Sequence, residues 1–539
     1  MKNKLLQGTL ILTAAGLLSR IMGFLYKIYL AGAMSEERMG LYQLIVPVSS
    51  ICFTIYASGI QTAVSKRVAE VSAEASPETR RLQRRILTVG MLLSVSLALL
   101  LSLLVSVFAG TIADRLLEAP ETAASLKILS IMFPFCGATA CLNGYYYGKK
   151  RSGVPAGTQL LEQAVRISFV MLGGSLMPSL FPDASGEVSC ELAAMGVVVG
   201  EIASNLVSFL FLLLPEKKER RQPATDKPLR SASDGQPTLS ADTQLPPQLA
   251  PILQIAVPLT ANHLVLSLLH SYETILIPAL LRRSGMPAAE ALGELGVVSG
   301  MVMPFLFFPT AITSALAILL LPTVSEAHAA GKLPLLQVTV RVTLRYTFLL
   351  GVLVTGIFVL FGDPLCLLVF GNARAGAYLS LFAFLCPFLY ASQTAASIVN
   401  GLSKTNLTFR NSVVSCILRL LLQLLLIPRM QLPGYLIASL SGTLLQLVLD
   451  LSLLKKEGVL RLDVRNSLIR PVLATLVLLP FFWPLRRLLT VRSVQNLLLL
   501  FLFCACYSAL FLLLQGWQRR RHAKRRFSVT SQNAGRRQV

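Results

Sequence analysis

Apolar stretches long enough to cross a bilayer recur along the whole chain, and they constrain the fold before any single residue does. A helix rises 1.5 Å per residue, so about 20 apolar residues cover the hydrocarbon core. Such stretches lie near 5–34, 39–65, 86–112, 123–147, 154–181 and 190–215, and again near 250–281, 294–322, 338–361, 376–401, 407–428 and 433–454. Two more follow near 470–489 and 494–516. The composition agrees: of 539 residues, 54% are hydrophobic and 14% charged, far less charge than a soluble chain carries. The expected fold is an all-α polytopic membrane protein of about fourteen transmembrane helices.

The segment 216–248 is rich in Pro, Ser, Asp, Lys and Arg without periodicity, which is the composition of a disordered linker. It divides the chain into an N-lobe at 1–215 and a C-lobe at 249–454. Helices 13 and 14 follow at 455–516, then a basic tail at 517–539. The net charge of +23 sits mostly in short loops and the tail. Loops on one side hold Lys66, Arg67, Arg80, Arg81, Arg84, Arg85, Lys149, Lys150, Arg151, Lys404, Arg410, Lys455, Lys456, Arg461 and Arg465. The opposite loops hold Glu36, Glu37, Asp114, Glu118, Glu121, Asp183, Glu187, Glu290 and Glu294, with Arg282, Arg283, Arg486 and Arg487 against the trend. This asymmetry predicts a cytoplasmic linker and two cytoplasmic termini, and it accounts for the charge without a nucleic-acid partner. Lys2 and Lys4 before an apolar run resemble a signal peptide, but the run is too long and holds Arg20, so it is expected to be a mature helix.

The two lobes read as copies of each other. Phe108, Pro134, Phe135, Gly148 and Arg166 match Phe361, Pro387, Phe388, Gly401 and Arg419 at one constant interval. Gly40 and Glu70 match Gly296 and Glu326 at an interval three residues longer. A six-helix unit returns to the side it entered from. The copies should therefore share an orientation and be related by an axis along the membrane normal, with a cavity between them.

Candidate site residues lie inside the spans. On the first helix Thr9, Thr13, Gly16, Arg20, Gly23 and Lys27 fall on one face. A charge within hydrocarbon costs roughly 2.5–3.5 kcal/mol on insertion scales, so such residues face protein or a polar chamber. The fifth helix carries Gln159, Glu162, Gln163 and Arg166 on one face, with Glu162 and Arg166 spaced as a favourable ion pair. Arg419, the repeat partner of Arg166, has Ser415 where Arg166 has Glu162 and so lacks a local acid. On the seventh helix His263, Ser267, His270 and Thr274 share a face beside Glu273, as a proton or cation relay or as a hydrogen-bonded packing stripe. Glu201 and Asn205 lie one turn apart on the sixth helix.

Several chemistries find no support. The nine cysteines form no CxxC pair, so neither a zinc site nor a disulfide framework is indicated. The segment Gly144–Lys150 has the wrong spacing for a phosphate loop, and there is no HExxH, DxD or GxSxG. No soluble domain is large enough for ATP and no motif calls for a cofactor. An enzyme is not expected, and any work must draw on an ion gradient, the membrane potential or the substrate's own gradient.

Ser19-Arg20-Ile21-Met22-Gly23-Phe24 resembles the S-R-x-x-G-F signature of the first helix of lipid II flippases. The Gly40–Glu70 region, Leu142–Gly148 and Gln163–Arg166 resemble the stage V sporulation protein B group of polysaccharide transporters. Both groups belong to the multidrug/oligosaccharidyl-lipid/polysaccharide (MOP) exporter superfamily. The resemblance implies two six-helix lobes around a central cavity, two extra C-terminal helices, and transport of undecaprenyl-linked sugars, with Arg20 at the substrate pyrophosphate. The chain departs from the lipid II flippases at Tyr26, where they have a second arginine, and at Pro47–Ile51, where they have another.

The function expected is a flippase in the bacterial cytoplasmic membrane. It would move an undecaprenyl-diphosphate-linked oligosaccharide or peptidoglycan precursor by alternating access. Arg20, Lys27, Arg166 and Arg419 would hold the anionic headgroup. Glu162, Glu273, His270 and Glu201 would balance charge or couple to Na+ or H+. The alternatives are a multidrug or cation antiporter of the same superfamily, which calls for an acidic cavity, and a membrane glycosyltransferase or ligase, which calls for a catalytic acid.

Overall fold

The computed structural model describes residues 2–72, 77–180, 188–214, 248–461, 463–489 and 493–535, all helix and short connection without a strand among them. The linker expected at 216–248 lies outside the described residues, apart from Gln248. Helix α1 spans Lys2–Ala33 and α2 spans Glu36–Val71, the latter through a π-helical turn at Thr54–Ser58. Helix α3 is Pro77–Val107, α4 the bent pair Thr122–Ser130 and Phe133–Gly148, α5 Gly153–Leu180 and α6 Cys190–Leu213. Helix α7 is Leu249–Arg283, α8 Ala288–Phe307 continued by Thr310–Ala329, α9 Leu333–Phe370 and α10 Ala373–Gly401. Residues Thr405–Lys456 form two helices, α11 (405–430) and α12 (432–456), that meet at a kink where Gln431 takes a non-helical conformation, φ 52° and ψ −131°. Helices α13 (Arg465–Phe482) and α14 (Val494–Gly535) complete the fold.

Eleven of the described helices are long and apolar enough to cross a membrane, or twelve with the bent α4 taken as one span. The expected fourteen is consistent with this, because the span Thr405–Lys456 holds two helices, α11 and α12, and Glu162 and Arg166 lower the hydropathy of α5. Two boundaries differ instructively from expectation. Helix α4 bends by 43° before Pro134, and α8 breaks before Thr310, at Pro309. At both places apolar residues continue through the break, and only the proline, which lacks an N–H and clashes with the preceding turn, marks it. Helix α14 also runs on through the basic tail to Gly535.

Side-chain caps start the helices at one end of the bundle. Ser35 accepts from Arg38 N–H at α2, Ser189 from Leu192 N–H at α6 and Asn372 from Ala375 N–H at α10. Glu36, Glu37 and Glu191 lie in the first turns, where negative charge suits the helix dipole.

The duplication is visible as contacts made twice. Ser102 Oγ donates to the Ser130 carbonyl at 2.8 Å, and Thr355 Oγ1 donates to the Ala383 carbonyl at 2.9 Å. Gly200 on α6 packs against the Glu162 carbonyl and the Arg166 stem, as Gly442 on α12 packs against the Ser415 carbonyl and the Arg419 stem. Between the lobes, Gly40 of α2 lies on the backbone of Leu292 while Gly296 of α8 lies on the backbone of Glu36. That reciprocity is the signature of a pseudo-two-fold axis passing between α2 and α8. A Cβ at either glycine would fall onto a carbonyl, so only glycine lets the two backbones approach this closely. Helices α13 and α14 add to the C-terminal lobe by packing on α9, where the Tyr507 hydroxyl meets Gly356 and donates to Thr475 Oγ1 at 3.3 Å.

Candidate functional site

Helix α1 leans on α5 and leaves its polar face toward the space between the lobes. A cavity of about 630 Å³ opens there, bounded by α1, α2, α5, α8 and α10. Arg20, Gly23 and Lys27 line it from α1, Gln163 and Arg166 from α5, and Tyr42 and Gln43 from α2. Thr310 and Ser314 of α8 and Gln393 of α10 close it from the other lobe, with an apolar wall of Phe24, Phe307 and Phe308. Three of the four expected headgroup ligands therefore converge. The side chains of Thr9 and Thr13 lie outside the described residues.

The charges in this cavity are only partly balanced. Arg166 pairs with Glu162 on its own helix, as the spacing predicts. Arg20 is exposed to the cavity and donates from Nη1 to Ser314 Oγ at 3.2 Å, and Lys27 is half-buried. No carboxylate among the described residues pairs with either. Tyr26 Oη, Gln163 Oε1 and Arg166 Nε are buried without a partner, all on residues lining the same cavity. Buried polar groups are ordinarily satisfied, so these unmet donors and acceptors stand out beside the two cations.

Glu201 does not line the cavity. It is buried on α6 beside Glu162, Arg166 and Thr139. One turn on, Asn205 donates to the Phe135 carbonyl at 3.1 Å and to Thr139 Oγ1 at 3.2 Å, so this pair ties α6 to α4.

Arg419 departs from expectation. It does not line the cavity, and it does not lack an acid. Its Nε sits 2.7 Å from Glu273 Oε1 on α7, an ion pair off the line of its own N–H bond, and its Nη2 lies 3.2 Å from His270 Nδ1. Gln423 donates to the same Glu273 oxygen at 3.0 Å, and His270 Nδ1 is 3.6 Å from Oε2. Glu273 thus belongs to Arg419 and is no structural partner of Arg20. The rest of the α7 stripe is a packing seam: His263 bonds Ser58 Oγ, Ser267 lies 3.4 Å from Ser50 Oγ, and Ser271 donates to the Pro47 carbonyl at 3.2 Å.

At the acidic end of the bundle the lobes are fastened together. Arg374 at the start of α10 pairs with Glu36 of α2 and lies 3.4 Å from Glu294 of α8, while Asn372 donates to Glu36 at 2.6 Å. Arg282 at the end of α7 pairs with Glu118 beyond α3. Arg486 lies 3.7 Å from Asp363 and over the Trp483 ring. Arg282 and Arg486, which ran against the charge asymmetry, are thus each matched locally by an acid.

Comparison with known proteins agrees with this arrangement. Residues 5–328 match the family described as polysaccharide biosynthesis protein, and residues 268–425 match the MatE family. The chain is 26% identical over 457 residues to stage V sporulation protein B of Bacillus subtilis (strain 168), covering 84% of each chain. It is 22% identical over 469 residues to the lipid II flippase MurJ of the same organism, covering 85% of this chain and 84% of that one. Among solved structures, the inward closed conformation of the lipid II flippase MurJ superposes with TM-score 0.62 at 12% identity over 95% of this chain and 100% of that one. An inward-facing multidrug resistance MATE family transporter of the MOP superfamily gives TM-score 0.56 at 14% identity over 81% and 94%. With its duplicated helical lobes and its central cavity, the chain is a multi-pass membrane transporter that belongs to the polysaccharide biosynthesis protein family.

Proposed function

We propose that this transporter flips a lipid-linked, anionic sugar, an undecaprenyl-diphosphate-linked oligosaccharide or peptidoglycan precursor, across the bacterial cytoplasmic membrane. The observation that carries this reading is the pair of cations, Arg20 and Lys27, facing a membrane-embedded cavity without a carboxylate partner among the described residues. A cationic drug would be repelled there, which weighs against the antiporter reading. Arginine offers a planar fork to phosphate oxygens, and attraction in a low-dielectric chamber exceeds that in water. Gln43, Gln163 and Gln393 supply donors and acceptors for sugar hydroxyls.

The ion pairs at the acidic end hold that mouth shut, so the headgroup enters from the basic end while the lipid tail stays in the bilayer. Rocking of the lobes about the α2–α8 crossing then exposes the cavity to the other side. The charge asymmetry sets the basic end, the linker and both termini in the cytoplasm. Thiol labelling at Ser233→Cys in intact cells checks this: protection from impermeant reagents is expected, and labelling would reverse the orientation.

The functional test is flipping of a fluorescent undecaprenyl-diphosphate disaccharide in proteoliposomes. Arg20→Ala should lose flipping while reaching the membrane normally, and Arg20→Lys should restore only part of it, since lysine keeps the charge but not the fork. Wild-type flipping rates in a well-folded Arg20→Ala protein would remove the basis of the proposal.

A further inference from the structure

The repeat relates more than backbones. Ser58 of α2 and Ser314 of α8 stand at matching positions, separated by the same interval as Gly40 and Gly296. Ser58 bonds His263 of α7, and Ser314 bonds Arg20 of α1. Arg20 therefore occupies in one lobe the place that His263 occupies in the other. Two helical turns further along, Lys27 corresponds to His270, and beside each stands the matching arginine, Arg166 or Arg419.

The face of α7 that carries these groups is turned inward. Val257, Val265, Leu268 and Tyr272, on the opposite side of the helix, are exposed as a lipid-facing surface should be. The His270 side chain itself is 56% exposed. Besides Ser415 standing where Arg166 has Glu162, one more feature differs between the copies. Glu273 reaches from α7 to Arg419, at 2.7 Å, while the N-terminal copy has no acid on α1 at all.

We propose that the C-terminal lobe holds a second anion site, built on His270 and Arg419, and that the Glu273 carboxylate fills it as a resident surrogate for the phosphate of a substrate. This rests on the reading of the N-terminal constellation as a headgroup site and extends it to the other lobe. Glu273 competes for Arg419, so an incoming phosphate must displace it. The substrate therefore engages Arg20 and Lys27 first, and reaches Arg419 only where a rearrangement pulls Glu273 away. Gln423, which donates to Glu273, holds the surrogate in place.

The test is binding of inorganic pyrophosphate to the full-length protein in nanodiscs, read as a shift in thermal stability, alongside binding of undecaprenyl diphosphate. Glu273→Gln keeps an acceptor for the Arg419 side chain but removes the charge, and Glu273→Asp keeps the charge as a control on folding. In an Arg20→Ala background, Glu273→Gln should raise pyrophosphate affinity by about tenfold or more, the worth of one charge-assisted hydrogen bond, and Arg419→Gln should erase the gain. Glu273→Asp should show no gain. A gain that survives Arg419→Gln, or no gain in a protein that melts as the parent does, overturns the second site. If wild type ignores undecaprenyl diphosphate while Glu273→Gln gains Arg419-dependent pyrophosphate binding, the flippase reading falls and the second site stands. If wild type binds the lipid through Arg20 and the Glu273 variant gains nothing, the reverse holds.

Discussion

The two lobes keep one scaffold and neutralise one arginine in two ways. In the N-terminal lobe Arg166 takes its acid from its own helix, Glu162. In the C-terminal lobe the matching Arg419 takes Glu273 from α7, across a helix interface. The difference decides where free charge is left. An acid on α5 leaves α1 with Arg20 and Lys27 facing the cavity, whereas an acid on α7 neutralises the arginine at the corresponding face. The seams differ in the same sense. Helix α7 is joined to α2 through His263, Ser267 and Ser271, while α1 meets α8 through the Arg20–Ser314 bond and the packing of Phe24 against Phe305 and Phe308. Duplication preserved the frame, and the position of one carboxylate separates a wall with free cations from a neutralised one.

The contrast is sharpest in what each arginine does for stability. Arg419→Ala strands Glu273 in a buried site and should destabilise the protein by about 3 kcal/mol or more. Arg166→Ala leaves Glu162, whose side chain is 18% exposed against 10% for Glu273, and should cost roughly half as much, because water reaches that carboxylate more readily. Melting curves of the two variants in the same detergent check the order, and equal losses would mean that both lobes are equally wet.

The α2–α8 crossing tests the symmetry itself. Gly40→Val and Gly296→Val each drive a side chain into a facing carbonyl and should each cost about 1–3 kcal/mol. Because the contacts are reciprocal, the two losses should agree closely. A large loss at one glycine and none at the other would break the two-fold relation.

Removing a single hydroxyl asks whether the seams are equivalent. Ser58→Ala and Ser314→Ala each delete one bond worth about 1 kcal/mol. Ser314→Ala should also slow flipping a few-fold, because it frees the arginine assigned to the headgroup, whereas Ser58→Ala should act on stability alone.

The smallest expected effect is at the acidic end. Arg374→Ala removes pairs whose arginine is 54% exposed, and such pairs are worth about 0–1 kcal/mol. Its melting temperature should hardly move, while accessibility of a cysteine at Gln43, which lines the cavity, to impermeant reagent should rise. Unchanged accessibility would argue that the backbone crossing alone holds the mouth shut.

Much of this was legible in the residues. Long apolar runs determine the helices, a charge inside a run must face polar surroundings, and i,i+4 spacing foretells the Glu162–Arg166 pair. The break between the apolar runs 407–428 and 433–454 foretells the kink at Gln431 between α11 and α12. What escaped sequence reasoning is tertiary. Glu273 and Arg419 are distant in the chain, and nothing local says that one side chain reaches the other. Ser314 is an ordinary hydroxyl in an apolar helix until its correspondence with Ser58 is set beside that of Gly40 and Gly296. The bends at Pro134 and Pro309 are hidden because apolar residues continue across them.

The central claim is that the cavity beside Arg20, Lys27 and Arg166 receives an anionic lipid headgroup. It is tested most directly by a cryo-electron microscopy structure of the full-length protein in nanodiscs loaded with undecaprenyl diphosphate. The account predicts density for the diphosphate within hydrogen-bond reach of Arg20 and Lys27, with the prenyl chain leaving toward the bilayer. An empty cavity at saturating lipid, or a diphosphate bound only on the lipid-facing surface, would contradict it.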